Sequence, residues 1–341
     1  MLDARVLTHQ LSRRTILAAS GLLAGGAAAV HPAHAQTAIS IALDWYPNAN
    51  HAGIYWAEDA GWFTDAGLEV TVRTPADPSS VLQTVAAGRD TFGISYQPDV
   101  LLARDQGVPV VAVASIVPRP LLGVMSLASS GIASPADLAG RTVGYPGIPA
   151  QEAFLRTMLA GQNLTLDDIE LVNVEFNLLP ALLSDQAAAV MGAYWTHETI
   201  VAEQQGYPVS LLKVDEWGVP LYDELVLVTS EDVIAKQADV VDHLIAAVRN
   251  GYAAAAANQP RALESLQAAS PEIDLAVETK GLALLAEIWT SAGSNLGLLD
   301  SARWDAFAEW MVEQGLVREA PAASAALYEA ALIESVATPG N

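Results

Sequence analysis

No cysteine occurs among the 341 residues. Its absence removes disulfides, a thiol nucleophile, iron–sulfur ligation and the lipid-attachment cysteine that tethers many exported binding proteins to a membrane. Cations are scarce as well: 16 Lys and Arg stand against 39 Asp and Glu, a net charge of −23. A chain this acidic is not expected to have nucleic acid as a partner. The only lysines are Lys213, Lys236 and Lys280, and beyond residue 35 the only histidines are His51, His197 and His243. Scattered histidines and carboxylates without ligand spacing give no zinc site, so neither metal nor cofactor is expected. Past residue 35 there is also no long uncharged run, and nothing there reads as a membrane span.

What is present begins with a leader. Ser12-Arg13-Arg14-Thr15-Ile16-Leu17 precedes an uncharged stretch from Ala18 to Val30 and then Ala33-His34-Ala35. Consecutive arginines, a short Gly- and Ala-rich core and an A-x-A site read as a twin-arginine signal peptide cleaved before Gln36. The expectation is a periplasmic protein that is not a lipoprotein.

The remainder alternates short β-rich runs with helical patterns, the mark of an α/β fold. Ten strands are expected: Ile39 to Leu43, Glu69 to Arg73, Thr91 to Ile94, Val110 to Ile116, Leu122 to Leu127, Thr142 to Tyr145, Glu170 to Val174, Ala188 to Tyr194, Ser210 to Lys213 and Leu225 to Thr229. From Glu231 onward the patterns are Ala-rich and amphipathic, so the tail is expected to be helical. A chain that builds one α/β unit, crosses to a second and returns implies two lobes joined by two crossovers, placed near Ser126 to Ser129 and Tyr222 to Leu225. Residues 36–126 with 226–341 form the first lobe in this reading, and 127–225 the second. Ligands then sit in the cleft between lobes.

Four segments at or beyond strand ends combine flat aromatic surface with carboxylates or amides. They are Asp44 to His51, with Trp45 and Asn48; Ser95 to Asp99, with Tyr96 and Gln97; Tyr194 to Glu198, with Trp195; and Trp217 to Glu224, with Tyr222 and Asp223. Tyr145, in Gly144-Tyr145-Pro146-Gly147 ahead of a helix, joins the candidates. Rings that stack and acceptors that read an edge suit a flat, nitrogen-rich heterocycle. Blander readings stand beside these: Asn48 as a helix cap, Trp45 and Trp195 as packing, and His51 and His197 as satisfied histidines.

The blocks LDWYPNANHAGIYWAEDAGWF, GISYQPDVLLARDQGVPVVAVASIV and GVPLYDELVLVTSED resemble the periplasmic thiamine-pyrimidine-precursor binding proteins of ABC importers, over most of the chain from Ile39 to about Val233. The resemblance implies a type II periplasmic binding protein fold, a monomer working with an ABC permease and ATPase, and capture of a hydroxymethyl- or formylaminomethyl-aminopyrimidine. It also implies that Asp44 accepts a hydrogen bond from an exocyclic amine. Related branches take riboflavin, and more distant ones alkanesulfonates or taurine. A related synthase makes the pyrimidine from its own histidine and pyridoxal phosphate, using a lysine and a cysteine-rich motif. This chain has His51 but neither cysteine nor a lysine in the opening block, so a Schiff base beside that histidine has no donor. The expectation is a non-enzymatic binding protein, with an enzyme of another class as the remaining alternative.

Overall fold

The computed structural model describes residues 36–75, 77–321 and 323–333. The expected leader, residues 1–35, lies outside them. Ten strands form two five-stranded sheets. The first contains β1 (Thr37–Ala42), β2 (Leu68–Arg73), β3 (Phe92–Ser95), β4 (Val110–Val117) and β10 (Leu225–Ser230), in the order β2-β1-β3-β10-β4. The second contains β5 (Leu122–Leu127), β6 (Thr142–Tyr145), β7 (Glu170–Asn173), β8 (Ala189–Tyr194) and β9 (Val209–Lys213), in the order β7-β6-β8-β5-β9. All ten strands fall where the sequence places them, and those covered on both faces read as near-continuous apolar runs. VVAVASIV in β4 and LVLVTS in β10 are buried at every position.

The two sheets share one topology. In each, β-strands run parallel except for the strand that has just crossed from the other sheet: β10 is antiparallel to β3 and β4, and β5 is antiparallel to β8 and β9. The carboxyl ends of β4 and β9 are the points of departure, so an arriving strand enters at that same edge and must run the opposite way. The carboxyl ends of the four mutually parallel strands in each sheet therefore gather at the edge from which the chain leaves for the other. Strand pairing puts the first crossing at residues 118–121, upstream of the expected Ser126 to Ser129. Leu122 to Ser126 belong with the second sheet, because Gly123 to Leu127 hydrogen-bond with β9. The second crossing, 214–224, includes the expected Tyr222.

Helices cover both sheets, and the tail is helical as expected, with a Glu231–Lys236 helix ending at Gln237 before the Ala238–Ala257 helix begins. The Ala238–Ala257 helix turns Val241, Leu244, Val248, Tyr252 and Ala255 inward at helical spacing. It meets the Ala52–Asp59 helix so closely that a Cβ on Gly251 would lie 2.0 Å from the Gly53 carbonyl oxygen. Only glycine permits that approach, which fixes the helix following His51. Farther on, the Ser301–Glu313 helix carries Phe307 and Trp310 onto Phe154, which also stacks on Tyr222 at 5.4 Å. Phe154 belongs to the Pro149–Ala160 helix beside the second sheet, so this aromatic group joins the tail to both halves near the crossings. Among the described residues no helix is long and apolar enough to cross a membrane.

Candidate ligand-binding site

Asp44 lies two residues beyond the end of β1 and is buried, 5% exposed, with His51 at 1%. Two elements hold it. Asn48 caps the turn Ala49–His51, its Oδ1 accepting from the Asn50 N–H at 2.9 Å, and its own N–H donates to His51 Nδ1 at 3.2 Å. A ring whose Nδ1 accepts carries its proton on Nε2, and Nε2 stands 2.8 Å from Asp44 Oδ1, so the histidine donates to the carboxylate. From the end of β3, the Tyr96 hydroxyl donates to Asp44 Oδ2 at 2.8 Å. Burial first, and then the Asp44 charge, holds the Tyr96 phenol well above its ordinary pKa, so it remains a donor. Asp44, His51 and Tyr96 are thus one unit, with lone pairs left on the carboxylate for a further donor. Asn48 takes the capping role, and its Nδ2 is spent on the Tyr46 carbonyl at 3.0 Å.

A second unit sits at the crossings. Glu224, immediately before β10, accepts from the Leu121 N–H at 2.7 Å, from Tyr222 Oη at 2.9 Å and from Tyr194 Oη at 2.9 Å. Burial pushes its carboxyl up to about 7 against the pull of these hydrogen bonds. Tyr194 ends β8, so this contact ties the second sheet to the first. Its phenol is raised by burial first, then by the charges of Glu224 and Asp44 and by Tyr96. Tyr96 in turn is raised in part by Glu224, so the two units feel each other's charge. Glu198 follows on the same loop, its Oε2 accepting from the Tyr194 N–H at 2.8 Å, with burial raising its carboxyl.

The other candidates are placed differently. Tyr222 is fully buried in the Phe154 and Phe307 ring group. Asp223 is fully buried too, accepting from Ser115 Oγ at 2.9 Å and Trp304 Nε1 at 2.6 Å and pairing with Arg303 at 3.0 Å. Both have their polar atoms committed inside the protein. Gln97 clamps that segment, Oε1 accepting from the Asp223 N–H at 2.7 Å, while its buried Nε2 has no partner. Trp195 turns to the first crossing: Nε1 donates to the Pro120 carbonyl at 3.2 Å and Lys213 Nζ lies 4.5 Å from the ring centroid, so one face is covered. Trp45 keeps 37% exposure and Tyr145 is half-buried at the end of β6.

Tyr194 and Glu224 lie within segments singled out from the sequence, yet their pairing joins strands from different sheets. Glu278 carries no local signal: it reaches 229 positions back to accept from the Ala49 N–H at 2.6 Å, and burial raises its carboxyl. Phe176, just past β7, meets the same strand-end criterion as the other candidates and was readable by it.

The NMT1/THI5-like family model matches residues 48–262. The chain is 37% identical to the formylaminopyrimidine-binding protein of Halalkalibacterium halodurans, covering 82% of this chain and 88% of that one. It is 25% identical to a 4-amino-5-hydroxymethyl-2-methylpyrimidine phosphate synthase of Legionella pneumophila, covering 70% and 75% of the two chains. Among solved structures, the periplasmic aliphatic sulphonate binding protein SsuA of Escherichia coli superimposes with a TM-score of 0.66 at 14% identity, over 89% of this chain and 97% of that one. The fold is that of the type II periplasmic binding proteins, with two five-stranded sheets of one strand order. With more than half its length matched and that level of identity to a relative, the chain belongs to the NMT1/THI5-like family.

Proposed function

We propose that this chain is the periplasmic substrate-binding protein of an ABC importer and that it captures a pyrimidine precursor of thiamine between two lobes built on the two sheets. The observation that carries this reading is the Asp44–His51–Tyr96 unit, a buried carboxylate oriented by two donors at the carboxyl edge of the first sheet; in this reading Tyr194 and Glu198, at the carboxyl edge of the second, complete the site. A carboxylate with remaining lone pairs reads an exocyclic amine, and half-buried phenol rings supply flat surface. Identity to the formylaminopyrimidine-binding protein over most of both chains favours the same ligand class.

A sulphonate is less well served. At the first crossing, Arg119 pairs with Asp215 at 2.8 Å and Arg303 with Asp223 at 3.0 Å, so both guanidiniums are already neutralised. The site also argues for binding without turnover. Both His51 ring nitrogens are committed, to Asp44 and to the Asn48 N–H, and Lys213 lies over Trp195 rather than beside His51. A general base or Schiff-base lysine therefore has no free representative in this unit.

Native mass spectrometry of the purified chain, followed by titration calorimetry with 4-amino-5-hydroxymethyl-2-methylpyrimidine, riboflavin and taurine, tests the reading. A co-purifying aminopyrimidine and saturable heat with that ligand alone are expected. Binding of taurine or riboflavin in preference would replace the ligand, and conversion of any of them would replace the mechanism.

A further inference from the structure

Trp45, one residue beyond Asp44, meets Phe176 from the loop after β7, their ring centroids 5.4 Å apart and their planes at 46°. Phe176 is 64% exposed. A pair this open to solvent is not filling a core. The Phe176 loop is held in a set shape: Glu175 takes a left-handed φ of 52°, which an L residue adopts only at a cost, and its N–H is fastened to Asn173 Oδ1 at 2.8 Å.

Strand order locates the contact. Both crossings connect the β10-β4 side of one sheet to the β5-β9 side of the other, whereas β7 is the opposite outer strand of its sheet and β1 lies away from the crossings in the first. Trp45–Phe176 therefore spans the two sheets on the side away from the crossings, where opening about the crossings separates the parts most. Between it and the Tyr194–Glu224 bond lie β3 in one sheet and β6 in the other. That leaves two strand spacings, roughly 10 Å at about 4.8 Å each.

We propose that Phe176, closing on Trp45, is a size-limiting latch at the cleft mouth. It admits a single six-membered ring with short substituents, slows that ring's escape, and excludes three fused rings bearing a polyol chain. The ligand class rests on the function proposed above, whereas the latch itself rests on the ring contact and the strand order.

Stopped-flow fluorescence would follow release of 4-amino-5-hydroxymethyl-2-methylpyrimidine from the full chain as wild type, Phe176→Ala and Phe176→Tyr. Solution scattering would give the radius of gyration of each without ligand, and riboflavin would be titrated into each. Loss of one aromatic pair speeds release about two- to tenfold. Association is left unchanged, the free Phe176→Ala protein expands, and Phe176→Tyr restores the wild-type values. If no variant binds the pyrimidine yet free Phe176→Ala still expands, the ligand class falls and the latch stands. Unchanged radius with unchanged release overturns the latch, and riboflavin binding to wild type overturns the size limit.

Discussion

Asp44 concentrates the chemistry of the first lobe because each of its oxygens already has an internal donor, His51 at one and Tyr96 at the other. Asp44→Asn keeps both contacts available: the amide oxygen can accept from His51, and the Tyr96 hydroxyl can accept from the amide nitrogen. The fold is therefore expected to persist while an anionic acceptor for the ligand amine is lost. A weakening of roughly 1–3 kcal/mol in aminopyrimidine affinity by calorimetry is the expected outcome, and normal affinity in a folded variant would end the proposed role. Glu224 makes a separate, ligand-independent prediction. Its carboxyl rises from 4.5 to about 7 on folding, burial being the largest cause. The neutral acid is thus favoured in the folded state. Its contribution is fully present below about 4.5 and disappears as pH rises through about 7, an effect on the order of 3 kcal/mol. Glu224→Gln cannot ionise, so between pH 5 and 8 the variant should gain stability relative to wild type in urea denaturation. A constant difference across that range would mean Glu224 does not titrate as argued.

The Leu275–Ala292 helix shows how a distant element shapes the site. Its Glu278 receives the Ala49 N–H, and one turn later Gly281 lies against the loop after β8, where a Cβ would fall 2.6 Å from the Thr196 carbonyl oxygen. That obstacle is backbone and cannot swing aside. Gly281→Ala must push the helix away from Thr196 and carry Glu278 with it, at about 1–3 kcal/mol in stability. Because Ala49 belongs to the turn that positions His51, aminopyrimidine affinity should fall together with the urea midpoint. Loss of stability with affinity intact would show that the helix does not support the site.

Taken as a whole, the molecule has its rigid attachment on one side. The crossings at 118–121 and 214–224, the Tyr194–Glu224 hydrogen bond and the Phe154 ring group all tie the halves together there. Ligand binding is expected to draw the carboxyl edges of the two sheets together, because Asp44 and Tyr96 lie on one edge and Tyr194 and Glu198 on the other. A ligand shifts that equilibrium only through contacts made after closure. Small-angle scattering should report a smaller radius of gyration with 4-amino-5-hydroxymethyl-2-methylpyrimidine than without it. An unchanged radius on saturation would mean the edges do not move.

All ten strands and the helical tail follow from local pattern: apolar runs of strand length bounded by turn residues, then Ala-rich segments at helical spacing. The opening block and the Ser95 to Asp99 segment likewise mark Asp44, His51 and Tyr96 as candidates, since acids, amides and rings crowded at strand ends seldom serve packing alone, and the three side chains are hydrogen-bonded to one another. Other roles escape local pattern because they depend on partners far along the chain. Tyr222 and Asp223 look as ligand-like as Tyr96 and Asp44, yet Phe154, Phe307, Ser115, Arg303 and Trp304 enclose them. Trp195 has the composition of a stacking ring, but Lys213, at the end of β9, covers one face. The first crossing falls before β5 because hydrogen bonding to β8 and β9 decides which sheet a strand joins, and a strand's own residues do not encode its neighbours. Side-chain type and spacing fix what each segment can be; which polar atoms remain free for a ligand is settled by long-range packing, where one approaching ring or carboxylate turns a candidate contact into interior structure.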